Sequence, residues 1–327
     1  MRRACVRVDR TEGEATRRAL EAAGVRDPAF AIDSDAEHVY IPVVDPEAVP
    51  AAYPVVQHDV AKREGQTLPA DLLGYSPTYE RLGGLVLLQE DDPERARAAA
   101  EAFMAADLPV EAVLNKRSAV AGTERIAEWE LLAGGSTETV HTEYGATFRV
   151  DPTKAYFSPR LATERERVVA QVDPGERVFD MFAGVGPYAI RAALAGAEVV
   201  AVDVNPDAAT YCRENAERNG VADRVTVLEG DVREHVDEYP DWADRVVMNL
   251  PHSADRFLDA ARTVAAGTCR LHYYDIQPEA EAFDPGESAI EAAFARTHRI
   301  RVATRRVVRT YAPGVLNVCL DVDVVRT

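Results

Sequence analysis

Lysine is nearly missing from this 327-residue chain. It occurs only at Lys62, Lys116 and Lys154, so the 37 basic residues are almost all arginine. Cysteine is sparse too. Cys5, Cys212, Cys269 and Cys319 are scattered without a C-x-x-C pair. That spacing argues against a zinc site or a disulfide framework and leaves reduced, mostly buried thiols. No apolar run is long enough to cross a bilayer, so no membrane partner is expected. The opening MRRACVRVDRTEGE lacks the apolar core of a signal peptide, and a cytoplasmic protein is the expectation.

Acid is what the chain has in excess. Fifty-five Asp and Glu residues set the formal net charge at −18. Such a surface ordinarily repels nucleic acid. It also suits high intracellular salt, where carboxylates hold water and the Debye length shrinks to about 3 Å at 1 M. Under that screening local arginine clusters decide what binds, so an RNA substrate is not excluded.

Three blocks follow along the chain. Residues 1–44 combine strand-like RACVRVDR, helical GEATRRALEAAG and strand-like HVYIPVV, which makes a small α+β module. Residues 45–70 are rich in proline and polar groups and read as a flexible linker. Residues 71–150 hold an apolar strand (GGLVLLQ), a helix (DPERARAAAEAFMAADLP) and further strands, a second small α+β domain. From 151 to 327 strands alternate with helices: RVFDMF, YAIRAALAG, EVVAVDVN, AATYCRENAERNG, VTVLEGD, DRVVMNLP. That alternation predicts an α/β fold, a Rossmann-like doubly wound parallel sheet.

In DMFAGVGPYAIRAA a strand end runs through a tight turn into a helix. Gly184 and Gly186 permit the turn and leave room for a ligand, and Pro187 suits a first helical turn. With Ala189 the pattern fits G-x-G-x-x-A, so the glycines alone admit a dinucleotide or S-adenosylmethionine. Three acids close successive strands: Asp180, Asp203 and Asp231. Strand carboxyl ends face the ligand crevice in this architecture. Asp203 suits ribose hydroxyls of either ligand. Asp180 discriminates, because a carboxylate beside the turn repels pyrophosphate and suits the cationic amino group of a methionine end. Asp231 can accept from an adenine amino group. The expected cofactor site is therefore Asp180, Phe182, Ala183, Gly184, Gly186, Asp203, Val204, Asp231, Val232 and Asn249, and the expected cofactor is S-adenosyl-L-methionine, in a class I methyltransferase domain.

The fourth strand ends in MNLPHSAD. Asn249-Leu250-Pro251 resembles the N-P-P motif of methyltransferases that act on nitrogen atoms of planar bases. An Asn amide offers a donor and an acceptor to a base edge, and proline stiffens the loop.

With KAYFSPRLATERERV, GTERIAEWELLAG, TVHTEYGATFRVD, DVNPDA and NLPHSA in this order, the chain resembles the archaeal and eukaryotic tRNA (guanine-N1)-methyltransferases that modify guanosine at position 37, as a halophile-type archaeal member. The resemblance implies tRNA as partner, no DNA, and a monomer. It implies catalytic roles for Glu164, Arg125, Tyr156, Asn249 and Pro251, with Arg160 and Arg165 as basic neighbours. It gives the first block a role in checking tRNA shape. The chemistry asks for the same groups. The guanine N1 atom must lose a proton before it accepts a methyl, and a carboxylate in a partly dry pocket, Glu164, is the expected base. Arg125 would stabilise charge on O6, Asn249 would hold the base edge, and Tyr156 would stack on the extruded base. His141 and His252 are expected to be structural. The alternatives are a wybutosine-pathway aminocarboxypropyltransferase, a guanine-N2 or adenine-N6 RNA methyltransferase, and a non-catalytic RNA-binding protein.

Overall fold

The computed structural model describes residues 1–62, 65–118, 122 and 125–327. It divides into two compact units, Met1–Thr67 and Leu68–Thr327. In the first, β1 (Arg2–Asp9) alternates core and solvent residues from Val6 to Asp9, while Cys5 is buried on its other face with Phe30 and Val60. α1 (Gly13–Ala22) packs Leu20 onto Val6, Val8 and Ile41. Gly13 has a steric reason, since a Cβ there would lie 3.0 Å from Val39. β2 (Asp33–Ser34) and β3 (His38–Pro42) stand on one side of β1, and β4 (Val55–Asp59) pairs antiparallel on the other.

β4 corrects the expected linker over 45–70. Val55-Val56-Gln57-His58-Asp59 closes the second edge of β1, which would otherwise expose a row of unpaired backbone groups. Tyr40 and His58 stack across this sheet at 3.7 Å, and His58 meets Asp33 at 2.8 Å. Arg63 and Glu64 of the expected linker lie outside the described residues.

The second unit begins with α2 (Pro69–Leu73) and a four-stranded sheet of β5 (Tyr79–Leu82), β6 (Leu85–Leu88), β7 (Ala112–Lys116) and β8 (Trp129–Gly134). α3 (Pro93–Ala105), capped by the Asp92 carboxylate, buries Ala99, Ala100 and Phe103 on it. β9 (Thr139–Glu143) and β10 (Ala146–Val150) form a hairpin. α4 (Ala162–Val169) then leads into the large sheet: β11 (Arg177–Asp180), α5 (Ala189–Leu194), β12 (Glu198–Asp203), α6 (Pro206–Arg218), β13 (Val225–Glu229), α7 (Val232–His235), β14 (Ala243–Met248), α8 (Leu258–Val264), β15 (Ala265–Pro278), α9 (Asp284–Phe294), β16 (His298–Ala312) and β17 (Val315–Arg326).

The seven strands lie in the order β13-β12-β11-β14-β15-β17-β16, with β11 to β15 parallel, β17 antiparallel to β15, and β16 antiparallel to β17 at the edge. Both faces are covered, as strand period two requires. Val178, Val199, Ala201 and Val247 meet α5 and α6, while Phe179, Val200, Val246 and Met248 meet α8 and α9.

Residues 71–150 and 151–327 do not separate into independent bodies. Leu82, Leu85, Leu114 and Phe148 share one buried cluster with Val178, Val185 and Ile190. Two asparagines a helical turn apart tighten the joint. Asn215 of α6 and Asn219, which caps its C-terminus, pair with the backbone of Arg149 and Thr147 at 2.7–3.1 Å, acting as a surrogate strand for β10.

Candidate active site

The turn after β11 is held by its glycines and by one carboxylate. Gly184 and Gly186 adopt φ of 56° and 91°, which glycine reaches without steric cost. The Gly184 N–H donates to Asp203 at 2.6 Å, and the Asn205 N–H donates to the same carboxylate at 2.9 Å. A Cβ on Gly184 would meet only the Tyr156 carbonyl, at 3.7 Å, so its outer face is open. A Cβ on Gly186 would lie 2.7 Å from the Cys212 sulfur. Gly186 therefore serves packing beneath the turn and is not part of the cleft wall.

Above the turn opens a cleft of about 1270 Å³, solvent at its mouth included. Phe182, Ala183, Gly184, Asp203, Val204, Asp231 and Val232 line one end. Asn249 and Pro251, after β14, line the other, and Arg125 and Tyr156 also line the cleft, the Tyr156 carbonyl lying beside Gly184. The first end fits an adenosine. Asp203 and Asp231 present acceptors to hydroxyl and amino donors, while Val204, Val232 and Phe182 offer an apolar slot. Phe257 meets Phe182 edge-on at 5.0 Å and adds to it. A pyrophosphate would face those carboxylates instead. Asp231 also caps α7 through the Arg233 N–H and grips the Arg233 guanidinium at 2.9 and 2.5 Å, which holds its carboxyl below the ordinary range.

Asp180 and Glu164 stand behind the cleft wall. Asp180 is fully buried, and neither of its oxygens completes a hydrogen bond among the described residues. Burial raises its carboxyl from 3.8 to about 7, with the Asp203 charge adding to the rise and the Phe182 and Ala189 N–H groups opposing it. Glu164 is 3% exposed. It accepts from Arg167 at 3.0 and 2.7 Å, from Arg306 at 2.8 Å and from the Tyr274 hydroxyl at 2.9 Å. The expected dry pocket is thus an ion network. It extends from Arg167 to Asp321, from Asp321 to His272 at 2.6 Å, and from His272 to Arg245 at 2.7 Å. His272, Cys319 and Asp321 bring ligand-type atoms within 4.8 Å of one another. Arg167 and Arg245 flank them, so the cluster is an ionic one.

Tyr188 joins Glu164 to the cleft. It lines the cleft, its hydroxyl donates to Tyr274 at 2.9 Å, and Tyr274 donates to Glu164. Tyr156, 39% exposed, stands on the rim. Arg125 has left-handed backbone, φ 57°, and its charge helps lower the pKa of His252, after burial. Thr123 and Glu124 of the GTERIAEW segment lie outside the described residues. Arg165 also lines the cleft, clamped to Glu143 at 2.8 and 2.5 Å beneath Phe157. Arg160 points to Glu80 at 3.3 Å. His141 is partly buried against Phe157, and burial lowers its pKa.

The β16–β17 hairpin brings in residues that the sequence reading did not reach: Arg309, Tyr311 and Asn317. HRIRVATRRVVRTYA alternates arginine with apolar residues, the signal of an exposed edge strand. Nothing local says that its far end meets the cleft.

Two family models match the chain: the TRM5/TYW2 methyltransferase domain over residues 139–303 and the tRNA methyltransferase 5 N-terminal domain over residues 5–50. The chain is 36% identical to the tRNA (guanine(37)-N(1))-methyltransferase Trm5b of Pyrococcus abyssi, over 97% of each. It is 32% identical to a tRNA(Phe) (4-demethylwyosine(37)-C(7)) aminocarboxypropyltransferase of Pyrococcus horikoshii, over 80% of this chain and 94% of that one. Among solved structures, a complex of aTrm5 with tRNALeu superposes with a TM-score of 0.73 at 29% identity, covering 98% and 99% of the two chains.

Proposed function

The chain belongs to the TRM5/TYW2 methyltransferase family, and from that premise we propose that it transfers a methyl group from S-adenosylmethionine to the N1 atom of guanosine at position 37 of tRNA. The observation that carries this reading is Asn249-Leu250-Pro251 at the end of β14, in the same cleft as the glycine turn. The cofactor supplies a methyl on a sulfonium. Asp203 and Asp231 hold its hydroxyl and amino donors, and Val204, Val232 and Phe182 enclose its ring. Asn249 presents an amide to the base edge, and the Pro251 carbonyl, held by the Ile276 N–H at 3.0 Å, stiffens that loop. Tyr156 on the rim offers a stacking face to a base removed from its helix. Arg125 offers positive charge to O6 as the N1 proton leaves.

Glu164 is the proton acceptor in this reading. Its carboxylate is set back from the cleft, so the proton passes along hydroxyls, from Tyr188 to Tyr274 to Glu164. Both hydrogen bonds in that chain are 2.9 Å and point toward the carboxylate. Arg167 and Arg306 fix the carboxylate in place.

Aminocarboxypropyl transfer is the weaker reading, since the relative with that activity matches less of the chain. Mass analysis of the modified nucleoside separates the two. A methyl adduct supports the proposal, and an aminocarboxypropyl adduct overturns it.

A further inference from the structure

The large sheet sorts the cleft along its edge. β11, β12 and β13 lead to the glycine turn, Asp203 and Asp231. β14 brings Asn249 to the middle, and beyond it β15, β17 and β16 bring Ile276, Asn317 and Arg309. These three form one row: Ile276 is the register partner of Asn317, and Asn317 of Arg309. The bond from the Ile276 N–H to the Pro251 carbonyl ties the row to the Asn249-Leu250-Pro251 loop. The row therefore stands at the acceptor end, away from the cofactor end.

Its two polar members are unmatched. Asn317 is 3% exposed. Its Oδ1 and the Arg309 Nε are buried without a hydrogen-bond partner among the described residues. Buried polar atoms are rarely left so, and here both belong to residues that line a cleft where a ligand can supply the partner. A bulge between Val307 and Arg309 breaks the ladder at this point, and bulges re-aim side chains.

An acceptor beside a donor is the complement of one guanine edge, where the exocyclic 2-amino group adjoins the ring N3. We propose that Asn317 Oδ1 accepts from the 2-amino group of the target guanine while Arg309 Nε donates to N3, so that the hairpin selects guanine over purines lacking that amine. This inference rests on guanosine at position 37 being the acceptor. It leaves the N1 and O6 side of the base to Asn249 and Arg125. A purine with hydrogen at position 2 leaves the Asn317 oxygen unpaired, and sites built to bond a substrate group reject analogues without it.

The test compares tRNA transcripts with guanosine or inosine at position 37, together with the cofactor Kd of each enzyme form. The wild type is expected to favour guanosine by about tenfold or more in kcat/KM. In Asn317→Ala that preference falls toward one, chiefly through loss of rate on guanosine. Asn317→Asp, which keeps an acceptor, retains it. The cofactor Kd is unchanged in both variants. A wild-type ratio near one overturns the proposal without any variant. So does a preference that survives in Asn317→Ala, or a cofactor Kd that weakens while the preference holds. A wild type that fails to methylate guanosine at all overturns the functional reading itself.

Discussion

Replacing Asp180 with asparagine should stabilise the cofactor-free protein, and more so as pH rises. Asp180 is fully buried without a completed hydrogen bond among the described residues, and burial raises its carboxyl from 3.8 to about 7. Because the folded value lies above the unfolded one, the folded state holds a proton that the unfolded chain has shed between about pH 4 and 7. Stability then falls as pH rises through that window, and the full cost is present above about 7. At about 1.36 kcal/mol per pH unit the cost approaches ~4 kcal/mol, of which about 2.5 kcal/mol accrues between pH 5 and 8. Denaturant unfolding of wild type and Asp180→Asn at those two pH values reads it directly. The advantage of the variant should grow by roughly 2 kcal/mol from pH 5 to pH 8. An advantage equal at both pH values, or none, refutes the assignment of a buried carboxyl forced to ionise. The same carboxyl should respond to a cationic ligand. Wild-type affinity for S-adenosylmethionine should rise from pH 6 to 8, and that of Asp180→Asn should stay flat.

Other expectations follow from the same contacts. Glu164→Gln removes the proposed proton acceptor and should lower kcat by about 10²-fold or more with cofactor Kd unchanged; a near-normal kcat removes Glu164 from the chemistry. Tyr274→Phe cuts the hydroxyl chain and should lower kcat while the melting temperature changes little, whereas an unchanged rate removes the relay. Asn215→Ala deletes bonds to the Arg149 backbone and the Val185 carbonyl, and should cost about 1–3 kcal/mol of unfolding free energy. Thermal melts in rising potassium chloride should show stability increasing toward molar salt, as screening relieves a net charge of −18. A melting temperature that falls over that range contradicts the halophilic reading.

The parts of the site written in contiguous residues were legible in the sequence. The glycine turn, Asp203, Asp231 and Asn249-Leu250-Pro251 each sit at or just past the end of a strand, so their place at the sheet edge follows from topology alone. Asp180 was legible as a strand end but not as a buried one, because its depth depends on how the turn folds over it. Glu164 shows the limit more sharply. Its partner Arg167 is three residues away, but Tyr274 and Arg306 lie 110 and 142 residues on. Only the tertiary fold reveals that the carboxylate is set behind the cleft. β4 was hidden for another reason. Its five residues follow a proline-rich stretch, and their pairing is decided by the open edge of β1 rather than by local pattern. The Arg309–Asn317 row arises from cross-strand register and a bulge, neither of which single-sequence reading specifies.

The most direct test of the central claim is methyl transfer from labelled S-adenosylmethionine to unmodified tRNA transcripts that differ only at position 37, with nuclease digestion to identify the product. The account predicts 1-methylguanosine from the guanosine transcript and no incorporation into the adenosine one. Label on another nucleotide, or on the guanine 2-amino group instead of N1, would contradict it.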